Sequence, residues 1–221
     1  MDLYSFVEGP LLWIAFLTFV IGTILRIVLF VATARNMDKP MLQYFSWKYV
    51  LSTLGRWILP INKDMAKNPF FMPLVYLFHV CLIVVPIFLA GHVTLWEESR
   101  FEWSWTALPE AWADWMTLIL IAISIFFLLR RLISADIRLL STLSDYLLII
   151  VTALPFVTGY FLTHGTLGSM AFLGDNMSLI HMLSGELMLI LIPLTRLSHA
   201  FLFFFSRAAT GIEFGRRGYS M

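Results

Sequence analysis

"IPLTRLSHAFLFFF", residues 192–205, is the stretch on which the reading of this chain turns. It is apolar enough for hydrocarbon, yet it holds Arg196 and His199 three residues apart. An arginine at the centre of a bilayer costs roughly 2.5 kcal/mol or more on insertion scales. A cation and an imidazole kept there at that cost have something to hold.

The composition points the same way. Of 221 residues, 60% are hydrophobic and only 13% are charged, where a soluble domain carries about 25% charged residues. The mean hydropathy is +0.84, which implies an integral membrane protein. A net charge of +1 leaves no basic field for nucleic acid. The single cysteine, Cys81, excludes an internal disulfide, the C-x-x-C-H attachment of c-type haem and a cysteine-ligated Fe–S cluster. The opening "MDLYSFVEGP" has no basic region and is read as the start of a retained first span rather than a signal peptide.

Five apolar runs, near 8–34, 70–96, 113–133, 143–164 and 178–206, are long enough to cross about 30 Å of hydrocarbon as helices. The expected fold is therefore all-α: a single membrane domain, 1–221, of five transmembrane helices. Cations gather on alternate connections. Arg35, Lys39, Lys48, Arg56, Lys63 and Lys67 lie in 35–69, Arg130, Arg131 and Arg138 follow the third run, and Arg207, Arg216 and Arg217 lie in the tail. The other connections carry only Arg100. The positive-inside rule then puts the N-terminus outside and the C-terminus in the cytoplasm. The segment "LWEESRFEWSWTALPEAWADW" holds five tryptophans, as an interfacial belt would. In the long inner loop, 35–69, "YFSWKYVLSTLGRWIL" reads either as an amphipathic helix on the inner surface or as an ordinary loop with a helical turn.

Of the five histidines, His79 and His92 fall in the second run and His181 and His199 in the fifth. On a straight helix, His181 and His199 are five whole turns apart, sharing a face across roughly 27 Å. His79 and His92 are roughly 20 Å apart and about 140° out of register. Pro86 between them can re-aim the two halves. Antiparallel neighbours then match in one way, with His79 level with His199 near the inner face and His92 level with His181 near the outer face. Two imidazoles at one depth can clasp one iron axially. Because a bare metal ion would want further ligands, the iron would be in haem. The competing reading is four buried histidines bonded to Ser or Thr across helices.

At these residues the sequence resembles a known family, the cytochrome b (gamma) subunit of respiratory nitrate reductase, and the related cytochrome b subunits of transmembrane redox complexes in sulfate reducers. The resemblance is carried by "YLFH" (76–79), "GH" (91–92), "RRL" (130–132) with Asp145, "PLTRLSH" (193–199) and "FVIGTILR" (19–26). It implies two haem b groups, the outer on His92 and His181 and the inner on His79 and His199. It also implies exchange of electrons with menaquinol or menaquinone near the outer haem, and a cytoplasmic Fe–S partner. Trp112, Asp114 and Trp115 stand where the nitrate-reductase branch has a lysine in its quinone pocket, so that branch's quinone contacts do not carry over. The longer inner loop and the wider spacing of the second-helix ligands lean the likeness to the sulfate-reducer branch in a bacterial inner membrane, whose partner resembles the heterodisulfide reductase catalytic subunit.

On this reading Arg196 and Arg26 pair with haem propionates, the alternative being snorkelling to inner headgroups. Gly91, Trp112 and Trp115 would line a quinone pocket, since glycine admits a close approach and indoles stack. Glu186, a carboxylate inside a span, is a candidate proton carrier or a hydrogen-bonding partner to another helix. His164 reads as a surface histidine before a quinone ligand, and Asp145 with Ser144 as the cap of the fourth span. Two other functions compete: a quinone-independent conduit from a periplasmic multihaem cytochrome c to the cytoplasmic partner, and a haem-free scaffold or transporter subunit in contact with lipid alone.

Overall fold

A computed structural model describes residues 2–37, 43–59, 67–165 and 170–219. Lys39 and Lys63 of the basic inner loop lie outside the described residues. Among those described, all regular structure is helical. The helices are α1 (Leu3–Phe6), α2 (Leu12–Met37), α3 (Trp47–Ile58), α4 (Phe71–Phe88), α5 (Ala90–Glu97), α6 (Glu110–Ile133), α7 (Ala135–Leu139), α8 (Leu143–His164), α9 (Ala171–Leu194) and α10 (His199–Arg216).

Five stretches are long and apolar enough to cross a membrane: Leu3–Asn36, Phe71–Phe88, Glu110–Ile133, Leu143–His164 and Phe172–Leu194. The protein is thus an all-α, multi-pass membrane protein. The first stretch includes a π-helical turn, Val7–Leu11, around Pro10, whose missing N–H interrupts the regular ladder.

Two of the expected spans are not continuous. The second, expected over 70–96, stops at Phe88 and restarts at Ala90, with Leu89 extended (φ −65°, ψ 131°). The fifth, expected over 178–206, begins earlier and stops at Leu194; a 3-10 turn, Arg196–Ser198, precedes α10. The argument that His181 and His199 share a face after five whole turns of one helix is therefore corrected. Pro193 has no N–H for the ladder, and the hydroxyl of Thr195 accepts the Leu197 N–H at 3.2 Å, competing with the helical pattern.

The chain packs as two compact units, 73–185 and the combination of 1–72 with 186–221. In the first, Phe78, Cys81 and Val85 of α4 form one face and meet Leu120 and Ile123 of α6 and Phe156 of α8. Buried Thr117 and Ser124 donate to the carbonyls of Ala113 and Leu120, which satisfies them without a partner helix. The turn into α8 is stapled: Arg131 donates to Ser141 Oγ at 2.8 Å and Tyr146 to the Arg131 carbonyl at 3.2 Å. Asp145 accepts the Thr142 N–H at 2.8 Å, so Thr142, not Ser144, is the cap residue.

In the second unit, α2 approaches the end of α9 at Gly22. A Cβ there would lie 2.7 Å from Pro193 Cβ, closer than packed carbons approach. Phe19 packs on Phe201 and Phe30 on Phe205. The stretch read as helix or loop does form a helix, α3, and it packs on α10. Gly211 of α10 lies against Thr53, and Gly215 lies against the Tyr49 ring. The Arg207 guanidinium sits 3.8 Å over the Trp57 ring.

Candidate functional site

The break at Leu89 frees three carbonyls, because Ala90, Gly91 and His92 no longer donate to Pro86, Ile87 and Phe88 in helical fashion. The amide of His92 instead reaches Leu89 O at 3.0 Å. Unpaired backbone carbonyls in a membrane interior are costly. Each of the three has a replacement donor. His92 Nδ1 donates to Pro86 O at 2.8 Å. Trp105 Nε1 donates to Ile87 O at 2.9 Å. Leu108 N–H donates to Phe88 O at 2.7 Å.

A carbonyl only accepts, so His92 must carry its proton on Nδ1 and its lone pair on Nε2. His181 Nδ1 lies 3.1 Å from Thr158 Oγ1, a hydroxyl that also reaches Leu154 O at 2.9 Å and Pro155 O and Ser184 Oγ at 3.2 Å each. Ser184 Oγ adds a bond to the His181 carbonyl at 2.7 Å. Glycine at 159 makes room for the ring, since a Cβ would stand 2.9 Å from His181 Cε1. The imidazoles of His92 and His181, both in the unit 73–185, then lie with centroids 6.1 Å apart and planes within 15°. The structure thus brings together His92 and His181, which the sequence reading paired.

His79 belongs to the same unit and His199 to the other. Both have Nδ1 on a carbonyl, that of Val75 at 2.7 Å for His79 and that of Arg196 at 2.8 Å for His199. The second break repeats the plan of the first. His199, like His92, stands six residues after a proline, and its ring also donates to the broken segment. Here Arg26 supplies the remote donor, with Nε to Pro193 O at 2.8 Å and Nη2 towards Leu194 O at 3.4 Å. Arg26, though exposed, thus finds two backbone acceptors at the break. Arg196 opens the 3-10 turn and is exposed.

Glu186 is 4% exposed, and its Oε2 has no hydrogen-bond partner among the described residues. Gly91 borders open space, with nothing within 4 Å of a built Cβ, and the same holds for Gly185, one turn beyond His181. Trp112 and Trp115 are both 66% exposed at the start of α6. His164, exposed at the end of α8, stacks on Tyr160 at 4.2 Å and has Nε2 3.3 Å from Asp114 Oδ2. Among the described residues, no three His, Cys, Asp or Glu gather as a bare metal ion would need.

Thr158, Gly159, Ser184, Trp105 and Leu108 were not singled out from the sequence. The repeated Pro-x5-His spacing, in "PIFLAGH" and "PLTRLSH", was the one visible signal of the breaks.

Fold and site together define a multi-pass helical membrane protein that brings two near-parallel imidazoles together. The chain belongs to the same family as a protein of Nitratidesulfovibrio vulgaris (strain Hildenborough), with which it is 37% identical over 226 aligned positions, covering 98% of this chain and 96% of that protein. No family model matches the sequence, and no solved structure matches it.

Proposed function

We propose that this chain is a dihaem b-type cytochrome subunit of a bacterial inner-membrane redox complex, exchanging electrons between the menaquinone pool near the outer face and a cytoplasmic Fe–S partner. The observation that carries the reading is the His92–His181 pair. With metal–nitrogen bonds of about 2 Å, and about 1.1 Å from each nitrogen to its ring centre, two imidazoles sharing one iron would have centroids no more than about 6.2 Å apart. The pair stands at 6.1 Å with its rings near-parallel. Metal-bound histidines nearly always bond through their other nitrogen to a fixed partner, and here the Pro86 carbonyl stands at His92 Nδ1 and the Thr158 hydroxyl at His181 Nδ1.

The surroundings fit haem as well. Gly91 and Gly185 leave beside the two ligands the open space that a Cβ would begin to fill. His92 and His181 would hold the iron, and haem when bound supplies a reversible one-electron couple. The chain's own part is to hold both imidazoles, supply apolar walls and keep water from the site. Assignment of an inner haem to His79 and His199, with Arg196 and the remaining donor of Arg26 beside its propionates, rests on spacing and on the family resemblance.

The basic segments among 35–69, 130–138 and the tail suit the cytoplasmic side and a docked Fe–S subunit, here one resembling the heterodisulfide reductase catalytic subunit. Outer placement of the quinone, beside Gly91 with Trp112 and Trp115, would release protons outside while electrons pass inward. Glu186, buried and lacking a partner on Oε2, is the candidate proton carrier.

Gly91→Leu tests the quinone site. The new side chain enters open space, so both haems should remain while reduction by a menaquinol analogue is blocked. Reduction of both haems at the normal rate would remove the quinone from this position and favour a periplasmic cytochrome c as the outer donor.

A further inference from the structure

The outer connection between α5 and α6 does more than join two helices. It crosses back over the end of α4 and delivers two donors to the break, the Trp105 indole and the Leu108 amide. Those donors fill the two carbonyls next to the one that the His92 ring fills. The three bonds lie on consecutive residues, 86 to 88, and the extended residue that makes the break, Leu89, follows directly. Nothing else in the described structure occupies Ile87 O. Trp105 is itself held in place, since its ring lies 6.5 Å from Trp96 of α5, which in turn stacks on Trp103 at 5.9 Å.

A break in an apolar helix has an alternative: the chain can rewind, with the amides of residues 90 and 91 returning to the carbonyls of 86 and 87. Rewinding would rotate His92 and withdraw Pro86 O from its ring. The indole bond opposes this because it occupies Ile87 O, the acceptor that the Gly91 amide would reclaim.

From this we propose that Trp105 is a positioning residue for His92: its indole N–H holds the α4–α5 break open and thereby sets the direction in which the His92 imidazole presents Nε2. The proposal deepens the haem reading, since the ligand so positioned is one of the outer pair, but the break can be followed without haem. Trp105 acts through the backbone, by its bond to the Ile87 carbonyl. The outer connection becomes part of the ligand's support, so whatever docks on it acts on the outer site.

The test is Trp105→Phe, which keeps a ring and removes the N–H, beside Trp103→Phe as a control that removes an indole with no bond to the break. Two quantities are read in the full-length protein. Hydrogen exchange over residues 86–93 is measured in apoprotein. The midpoint potential and low-spin EPR signal of each haem are measured in holoprotein. Loss of one hydrogen bond should speed exchange in that segment by about five- to tenfold in Trp105→Phe. It should also move the signature of one haem only, the haem that His92→Ala removes. Trp103→Phe should match the wild type in both.

Unchanged exchange and an unchanged outer haem in Trp105→Phe would overturn the proposal, as would equal effects from Trp103→Phe. If exchange quickens but no haem is present in any variant, the positioning of His92 stands and the haem reading fails. Should Trp105→Phe not accumulate, Leu108→Pro removes the neighbouring donor and is judged by the same two readings.

Discussion

Gly159→Ala puts a single methyl against the candidate outer ligand. Its Cβ would start 2.9 Å from His181 Cε1 and 3.3 Å from Nδ1. Packed carbons stand about 3.5–4.0 Å apart, so the ring must retreat by about 0.6 Å or more. It retreats away from α8, the helix that also carries Thr158. The Thr158–His181 bond, now 3.1 Å, then lengthens to about 3.7 Å and ceases to be a hydrogen bond. Loss of such a supporting bond lowers metal affinity by roughly 10–100-fold.

Stability moves less. Overpacking costs about 1–3 kcal/mol, and replacing a mid-helix glycine by alanine returns about 1 kcal/mol. The assay is titration of haem into apoprotein, followed by the EPR signal of each haem. One site should weaken by at least tenfold, and it should be the site lost in His181→Ala. An unchanged affinity with an unchanged spectrum would refute the claim that Gly159 and Thr158 set the His181 ring.

Thr158→Val keeps the shape but removes the hydroxyl, and should lower affinity at the same site without the steric term; a double variant with Gly159→Ala should be no worse than the more severe single one. Gly22→Leu, which drives a side chain into Pro193, should destabilise the unit containing α2 and α10 by about 1–3 kcal/mol, read as a lower midpoint in thermal unfolding in detergent. Arg26→Met leaves the Pro193 carbonyl without its donor and should cost about 1–3 kcal/mol; Arg26→Lys should recover part of this, and equal losses in the two would point to charge-independent packing. Glu186→Gln should keep both haems and slow their reduction by a menaquinol analogue, whereas a normal rate would leave Glu186 a structural role.

The five spans were legible because run length and apolar composition are nearly sufficient for a membrane helix. The pairing of His92 with His181 was legible because depth along antiparallel helices follows from residue count, and a hinge at Pro86 was anticipated. The breaks at Leu89 and Thr195 were not. Proline only weakens a helix, and whether it bends or parts depends on donors that arrive from elsewhere, here Trp105, Leu108 and Arg26. No local pattern assigns an indole to a carbonyl eighteen residues away. Thr158 and Gly159 were hidden for a related reason: their value lies in facing His181 across two helices, a register that periodicity alone does not supply. Arg26 stood out as a cation within an apolar run, but its backbone acceptors exist only because α9 ends at Leu194.

The central claim is that His92 and His181 hold one haem between them. Haem per chain, measured as pyridine haemochrome on purified protein, tests it most directly in the wild type, His92→Ala, His181→Ala and the double variant. The account predicts about two haems in the wild type and about one in each of the other three, because both substitutions empty the same site. A double variant that loses both haems while each single variant loses one would assign the two residues to different sites. A wild type without haem would contradict the account altogether.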